Sequence, residues 1–245
     1  MGWNELAQVA ERNLAIVDTR DAAACDVSPA QILGLRRKGV LEDWHPGVYG
    51  IAGVPRDLLG RRELAASRAA GPLAVVSHES AAILHGCRDV ARPPLVHLLV
   101  PRGHECRVRG AFVHSATWLP RAHLASVGPI PVTLPERALA ERSVRIADER
   151  LARAVYDPWR LGLISPMVLG GVIDGLPRLP GRRRFQPILA SADPRLQDAR
   201  SVPEIDGFVA LNAQGSGCQR STTPCSMSSA GCGTSSTTPG RRSGS

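Results

Sequence analysis

A short basic helix capped at both ends limits the folds open to residues 19–51. Ser28 is followed by Pro29, a pair typical of a helix N-terminus, because serine caps free backbone N–H groups and proline has none to lose. Gly39 is a typical residue just beyond a helix C-terminus. The last turn before Gly39 carries three cations, which the helix dipole favours there: Arg36, Arg37 and Lys38.

The flanking residues predict a second helix before this one and a β-hairpin after it. Thr19 is placed to cap the preceding helix, and the turn His45-Pro46-Gly47 separates two apolar segments. This order is that of a winged helix-turn-helix, a module that places its second helix in the DNA major groove. The predicted elements are helices 19–24 and 28–38 and strands 40–44 and 48–51.

The outer face of helix 28–38 carries the candidate DNA-binding side chains. Amide and guanidinium groups suit base edges, and cations suit phosphates. We expect Gln31 and Arg37 to contact bases, and Arg36, Lys38 and Arg20 to contact phosphates. Helix-turn-helix patterns also occur in proteins that do not bind DNA, so a merely solvated basic helix stays open. The full predicted set is Arg20, Ser28, Gln31, Arg36, Arg37, Lys38 and His45.

Two features of this module oppose tight DNA binding. Gly34 lies inside the candidate recognition helix, where it costs about 1 kcal/mol of helix propensity relative to alanine. Glu42 and Asp43 lie in the hairpin, where a basic residue would suit DNA better. Trp44 can either contact DNA or fold back onto the core.

Four sequence blocks within residues 4–190 resemble the AbiEi family, the antitoxins of type IV toxin–antitoxin systems linked to abortive phage infection. The most specific block is KGVLEDWHPGVYGIAGVP, and AVVSHESAAILHG, VHLLVPRG and GPIPVTLPERALAE follow in the family's order. The resemblance implies a transcriptional regulator that binds its own promoter as double-stranded DNA and counters a nucleotidyltransferase-like toxin. It also implies an α+β fold, in which a winged helix-turn-helix precedes a mixed α/β antitoxin-type domain.

The chain divides into four predicted segments. The winged helix-turn-helix covers 1–54, the antitoxin-type domain 55–195, and a remnant lead-in helix 196–214. The tail 215–245 is rich in Ser, Thr, Gly and Pro, cannot bury enough apolar surface to offset the entropy of ordering, and is predicted to be disordered.

Local patterns predict the elements of the antitoxin-type domain. An apolar stripe with Leu58 and Leu59 predicts a helix that starts at Arg56, and Thr133 with Glu136 predicts a capping box. We expect a core that includes Leu151, Val155, Leu161, Leu163, Leu169 and Val172. The predicted strands are 74–76, 96–100, 111–115 and 129–132, and the predicted helices are 56–70, 78–85, 134–142, 147–156, 165–174 and 185–191.

The segment SVPEIDGFVALNAQGSG resembles the start of a Vsr-type or restriction-like nuclease domain. Such a nuclease needs acidic residues that hold a divalent ion, but no Asp, Glu or Lys follows Asp206. We therefore predict no enzyme, and hypothesise that the reading frame shifts near Gly215. The alternatives are a degenerate endonuclease that has lost its catalytic domain and a pure protein-interaction module.

Composition indicates a cytoplasmic protein without cofactor or metal. The formal net charge of +8 suits a polyanionic partner. A GC-rich genome encodes many arginines, however, and would give the same excess of positive charge. No apolar run approaches the roughly 18 residues of a membrane span, the N-terminus lacks a signal-peptide pattern, and no CxxC occurs among the six cysteines, so we expect reduced thiols.

Three further groups stay open between functional and structural roles. His78 and His85 are seven residues apart and would need a third ligand to bind a metal, so structural or interaction roles are the alternative. The turn RGHECRVRG could contact phosphate, a protein or water. Arg182, Arg183 and Arg184 could contact nucleic acid, although they open a helix, where the dipole disfavours cations.

Overall fold

The fold is α+β, with two sheets and helices around them. The computed structural model describes residues 2–176 and 178–192. The predicted lead-in helix 196–214 and the predicted disordered tail 215–245 lie outside the described residues. No helix in the described part of the chain is long and apolar enough to cross a bilayer.

The N-terminal elements have the predicted order of a winged helix-turn-helix. They are α1 (Gly2–Arg12), β1 (Ile16–Asp18), α2 (Thr19–Ala24), α3 (Pro29–Arg37), β2 (Leu41–His45) and β3 (Val48–Ile51). The three strands form an antiparallel sheet in the order β1-β3-β2. Leu6, Val17, Ile32 and Leu41 are buried together between the helices and this sheet.

The cap of α2 differs from the prediction, because Asp18 and not Thr19 is the N-cap residue. The Asp18 carboxylate accepts hydrogen bonds from the backbone N–H of Arg20 (2.8 Å) and Asp21 (3.0 Å). Asp21 completes a capping box, since its carboxylate accepts from the N–H of Asp18 at 3.0 Å. A buried aspartate therefore fixes the start of α2, and Thr19 is the first helical residue.

The remaining elements form a mixed sheet and a layer of helices. The sheet order is β6-β5-β4-β8-β7, with β5/β6 and β4/β8 parallel and the other pairs antiparallel. These elements are α4 (Arg61–Ala70), β4 (Val75–Val76), α5 (His78–Leu84), β5 (Val96–Pro101), β6 (Ala111–Ala116), β7 (Leu124–Val127), β8 (Ile130–Thr133), α6 (Pro135–Arg142), α7 (Asp148–Arg160), α8 (Pro166–Asp174) and α9 (Phe185–Ala190).

Several predictions for this part are wrong in detail. The helix predicted from Arg56 begins at Arg61, and Leu58 and Leu59 are 48% and 51% exposed, because residues 55–60 form turns. Thr133 ends β8 and does not cap α6, whose N-cap is Leu134. Strand β7 is missed by the sequence analysis, which assigned no element to this short segment.

The predicted C-terminal core is largely confirmed. Leu151, Val155, Leu169 and Val172 are buried in a cluster formed by α6 to α9, whereas Leu161 is 38% exposed and Leu163 is half-buried. The expected capping partner Glu136 instead accepts a hydrogen bond from the backbone N–H of Ser165 at 3.0 Å, which ties α6 to the start of α8.

Helix α4 contacts strands of both sheets, and its charged residues secure this junction. Arg61 is fully buried and donates hydrogen bonds to the carbonyls of Leu14 (2.8 Å), Pro55 (3.0 Å) and Ala15 (3.1 Å). Its guanidinium also lies 4.8 Å from the Trp44 ring centroid. This single side chain therefore links α4, the segment before β1 and the hairpin.

Candidate nucleic-acid interface

Helix α3 turns its polar face to solvent, as the sequence predicts. Ile32 is the one residue of α3 that is buried, and Leu35 is half-buried. The five predicted contact residues in or beside α3 are all exposed: Ser28, Gln31, Arg36, Arg37 and Lys38. A partner can therefore reach this face without any rearrangement of the fold.

Ser28 and Gln31 have a structural role that the sequence analysis assigned only to Ser28. The Ser28 hydroxyl accepts from the N–H of Gln31 at 3.3 Å, and Gln31 Oε1 accepts from the N–H of Ser28 at 2.8 Å. This is a complete capping box. The Gln31 amide nitrogen remains able to donate, but its oxygen already has a partner.

Two of the predicted cations are paired with carboxylates. Arg20 forms a salt bridge with Asp18 at 2.7 Å, although its side chain is 57% exposed. Arg36 forms a salt bridge with Asp43 in β2 and lies over the Tyr49 ring at 5.8 Å. Both guanidiniums would have to share or exchange their carboxylates to contact phosphate.

Arg37 and Lys38 are the cations of α3 that remain available. Neither pairs with a carboxylate among the residues that the structure describes. Both lie at the C-terminal end of the helix, where the partial negative charge of the helix dipole stabilises them. The unpaired positive charge of the module is therefore concentrated at this end of α3.

The acidic residues of the hairpin are neutralised by arginines. Glu42 forms a salt bridge with Arg56 at 2.7 Å, and Asp43 is paired with Arg36. These contacts reduce the repulsion that the two carboxylates would exert on a phosphate backbone. The feature that weighed against DNA binding in the sequence is thus largely compensated in the fold.

The aromatic side chains of the hairpin differ in position. Trp44 packs against the central core and lies between Arg56 and Arg61, with centroid distances of 5.0 and 4.8 Å. His45 is half-buried, and burial, followed by the charges of Arg109 and Arg56, lowers its pKa. Trp44 therefore folds back onto the core, and His45 is neutral at physiological pH and can contribute a hydrogen bond rather than charge.

Two arginines of the turn RGHECRVRG, whose role the sequence leaves open between phosphate, protein and water, lie beside the hairpin. Arg107 and Arg109 come from the turn between β5 and β6, are exposed, and line a cleft of about 780 Å³ together with Arg36, His45 and Gly47. The segment RVRG carries the signal, but about 60 residues separate it from the hairpin. Only the fold shows that this turn extends the cationic surface.

The arginines of residues 182–184 are mostly engaged within the protein. Arg182 forms a salt bridge with Asp174 at 2.6 Å. Arg184 donates to the backbone carbonyls of Ser143 (2.9 Å) and Ile146 (2.5 Å). Arg183 is exposed. Two of the three arginines thus hold the turn in place, which gives the cluster a structural role.

No model of a known protein family matches the chain, and no curated protein is detectably similar to it. The crystal structure of the RV2827C protein from Mycobacterium tuberculosis superposes with a TM-score of 0.48 and 18% sequence identity, over 85% of this chain and 79% of that chain.

Proposed function

We propose that this protein is a DNA-binding transcriptional regulator of the antitoxin type. The observation that carries the proposal is the exposed, unpaired pair Arg37 and Lys38 at the end of α3. The preceding residue of α3, Arg36, lines a cleft together with the hairpin and the turn that carries Arg107 and Arg109. Cations on an exposed helix and on a nearby turn suit a polyanion such as duplex DNA better than an uncharged partner.

In the proposed complex, α3 enters the major groove. Arg37 contacts a base edge, where a guanidinium can form two hydrogen bonds to guanine, and Lys38 contacts a phosphate. Gln31 donates from its amide nitrogen while its oxygen keeps the helix cap. The hairpin, with Arg107 and Arg109 next to it, contacts the backbone that flanks the groove.

The antitoxin part of the proposal rests on the resemblance to the AbiEi family. On that basis the DNA is the promoter of the protein's own operon, and residues 55–195 counter a nucleotidyltransferase-like toxin encoded beside it. Co-expression with the product of the adjacent gene tests this part: we expect growth to be rescued by the full chain. Toxicity that persists at equal expression would remove the antitoxin role and leave the DNA-binding role unaffected.

The central experiment measures binding of the full chain to its upstream DNA by fluorescence anisotropy over a series of salt concentrations. Arg37→Ala should weaken specific binding by about 1–3 kcal/mol, the cost of losing one base contact. Lys38→Ala should weaken specific and non-specific binding alike. It should also reduce the slope of log affinity against log salt by about 1, because one phosphate contact is lost.

Arg150→Ala is the matched control. Arg150 is an exposed arginine on α7, so its loss changes the net charge equally and leaves the proposed interface intact. We expect the control to bind like the wild type. Equal affinities for Arg37→Ala, Lys38→Ala and Arg150→Ala would mean that α3 does not contact the duplex, and the proposed function would then be wrong.

A further inference from the structure

Three histidines from separate elements meet at the edge of the second sheet. His78 begins α5, His97 lies on β5 and His114 on β6. Each can offer a ring nitrogen, and these three atoms all lie within 4.8 Å of one another. His85, the partner considered for His78 in the sequence, instead contacts the carbonyl of Thr133 at 2.8 Å.

The arrangement of the rings shows that at least part of this cluster is uncharged. His97 Nδ1 lies 2.9 Å from His114 Nε2, a distance at which one nitrogen donates and the other must offer a lone pair. The His78 and His114 rings stack with centroids 3.8 Å apart, a contact that two imidazolium ions would oppose.

Two carboxylates lie just outside the cluster, and the Ser77 hydroxyl lies 3.0 Å from His78 Nδ1. Glu141 Oε2 lies 3.5 Å from His78 Nδ1, and Glu79 Oε2 lies 3.7 Å from His97 Nε2. Arg137 holds Glu141 at 2.7 Å, and Arg145 holds Glu79 at 3.0 Å. Carboxylates in this position commonly fix the ring orientation of metal-binding histidines.

Two features of this cluster are unfavourable for a protein without a ligand there. His78 has φ of +51°, a left-handed conformation that is rare outside glycine and asparagine and often marks functional sites. Glu141 Oε2 is buried and makes no hydrogen bond of ordinary geometry to any described residue. A bound cation would offset the cost of that buried oxygen and of the strained backbone.

We propose that His78, His97 and His114 bind a divalent transition-metal ion, for which Zn²⁺ is the reference. Imidazole nitrogens suit Zn²⁺, and three protein ligands leave a fourth position open. His78 and His114 line a cleft of about 860 Å³ with Trp118, Arg137 and Glu141. The fourth position would therefore face this cleft, where an anionic or water ligand can reach it beside Arg137.

The cluster needs only side-chain adjustment to bind the ion. Zn–N bonds of about 2.0–2.1 Å in a tetrahedral site place ligand nitrogens roughly 3.4 Å apart. The 2.9 Å contact between His97 and His114 must widen by about half an ångström, and the most distant pair must close from at most 4.8 Å. This requires rotation of the His97 and His114 rings on β5 and β6 and of the His78 ring, which now stacks on that of His114.

The test measures metal binding by the full chain after treatment with a chelator. Calorimetric titration with Zn²⁺ should show one ion per chain. His97→Gln and His114→Gln should each weaken this binding by more than the roughly 10–100-fold expected for loss of an outer partner such as Glu141. Circular dichroism and thermal unfolding of the metal-free proteins establish that the variants fold, and Zn²⁺ should raise the Tm of the wild type but not that of His97→Gln or His114→Gln.

His104→Gln is the matched control, because this part-buried imidazole contacts the carbonyl of Ala70 at 2.9 Å and lies outside the cluster. It should bind Zn²⁺ like the wild type. Co²⁺ in place of Zn²⁺ should give tetrahedral d–d bands without a sulfur-to-metal charge-transfer band. Absence of binding, binding unaffected by His97→Gln and His114→Gln, or a charge-transfer band from cysteine ligands would each overturn the proposal.

Discussion

Helices α3 and α4 have similar length and are both rich in arginine, but they place their cations in opposite environments. In α3 only Ile32 is buried, and Arg37 and Lys38 extend into solvent. In α4 most residues are buried, including Arg61 and Glu63. A count of positive charges along the sequence cannot distinguish these two helices.

The difference lies in the partners of each cation. The Arg61 guanidinium donates hydrogen bonds to backbone carbonyls. It therefore helps to join the two sheets through α4 and is not available to a ligand. Arg37 has no such partner among the described residues, and its charge remains available to a polyanion. We therefore assign stability to the arginine of α4 and recognition to the arginine of α3.

The strongest test of this assignment is the pair Arg61→Ala and Arg37→Ala. Loss of Arg61 removes the side-chain donor from the carbonyls of Leu14 and Val54, and a carbonyl left without a donor inside the protein costs about 1–3 kcal/mol. We expect the free energy of unfolding to fall by at least about 3 kcal/mol, measured by urea denaturation and followed by tryptophan fluorescence. Arg37→Ala should change it by no more than about 0.5 kcal/mol, as usual for an exposed position.

Arg61→Lys refines the result, because lysine keeps the charge but lacks the planar fork that contacts several carbonyls at once. It should fall between the wild type and Arg61→Ala. Equal stabilities of Arg61→Ala and Arg37→Ala would show that water replaces the guanidinium, and the contrast between the two helices would be lost.

The sequence predicts α3 well because its signals are local. Ser28, Pro29 and Gly39 specify both ends of the helix within a dozen residues, and the alternation of apolar and polar residues specifies which face is exposed. The same locality gave the predicted order of helices and hairpin. The error at Thr19 is also local, since the adjacent Asp18 is an equally good cap and the structure uses it.

Features that depend on distant residues could not be predicted in this way. Arg107 and Arg109 reach the hairpin only through the packing of the second sheet against the first module. His97 and His114 become neighbours because β5 and β6 pair in parallel with His114 opposite Leu99. Unless the order of the strands in the sheet is known, neither the separation of these residues along the chain nor their type indicates that they are in contact.

Asp18 caps α2 and pairs with Arg68 of α4, and its substitution is expected to have an effect of intermediate size. Burial alone would raise its pKa, but the hydrogen bonds from Arg20 and the Asp21 backbone, with the charge of Arg68, hold it below 3.8. The ionised form therefore stabilises the fold above pH 3.8, and this contribution is lost as the pH falls through the lower, folded-state pKa. Asp18→Asn keeps a capping side chain and removes the charge.

We expect Asp18→Asn to lower stability by roughly 1–2 kcal/mol at pH 7, on the scale of a charge-assisted hydrogen bond. The difference from the wild type should stay constant down to about pH 5 and shrink below it. Urea denaturation at several pH values between 2.5 and 7 measures this. A difference that does not change with pH would mean that the fold does not favour the ionised carboxylate of Asp18, and the lowered pKa would then be wrong.

The smallest effects on stability are expected at Gly34, within α3, and at Gly39, just beyond its C-terminal end. A Cβ atom at Gly34 would meet no other atom within 4 Å, so Gly34→Ala should stabilise the protein by about 0.5–1 kcal/mol through helix propensity. Gly39 has φ of +70°, so Gly39→Ala should destabilise it by about 1–2 kcal/mol. Thermal unfolding of both variants against the wild type checks the two signs.

Gly34 also links stability to recognition. It lies on the same face as Gln31 and Lys38, and glycine allows a partner to approach the helix backbone closely. We expect Gly34→Ala to weaken binding to promoter DNA although it stabilises the free protein, because the added methyl group would meet the duplex. If affinity and stability rise together in the same anisotropy and unfolding assays, the duplex does not approach this edge of α3, and the contact surface must be placed further toward Arg107 and Arg109.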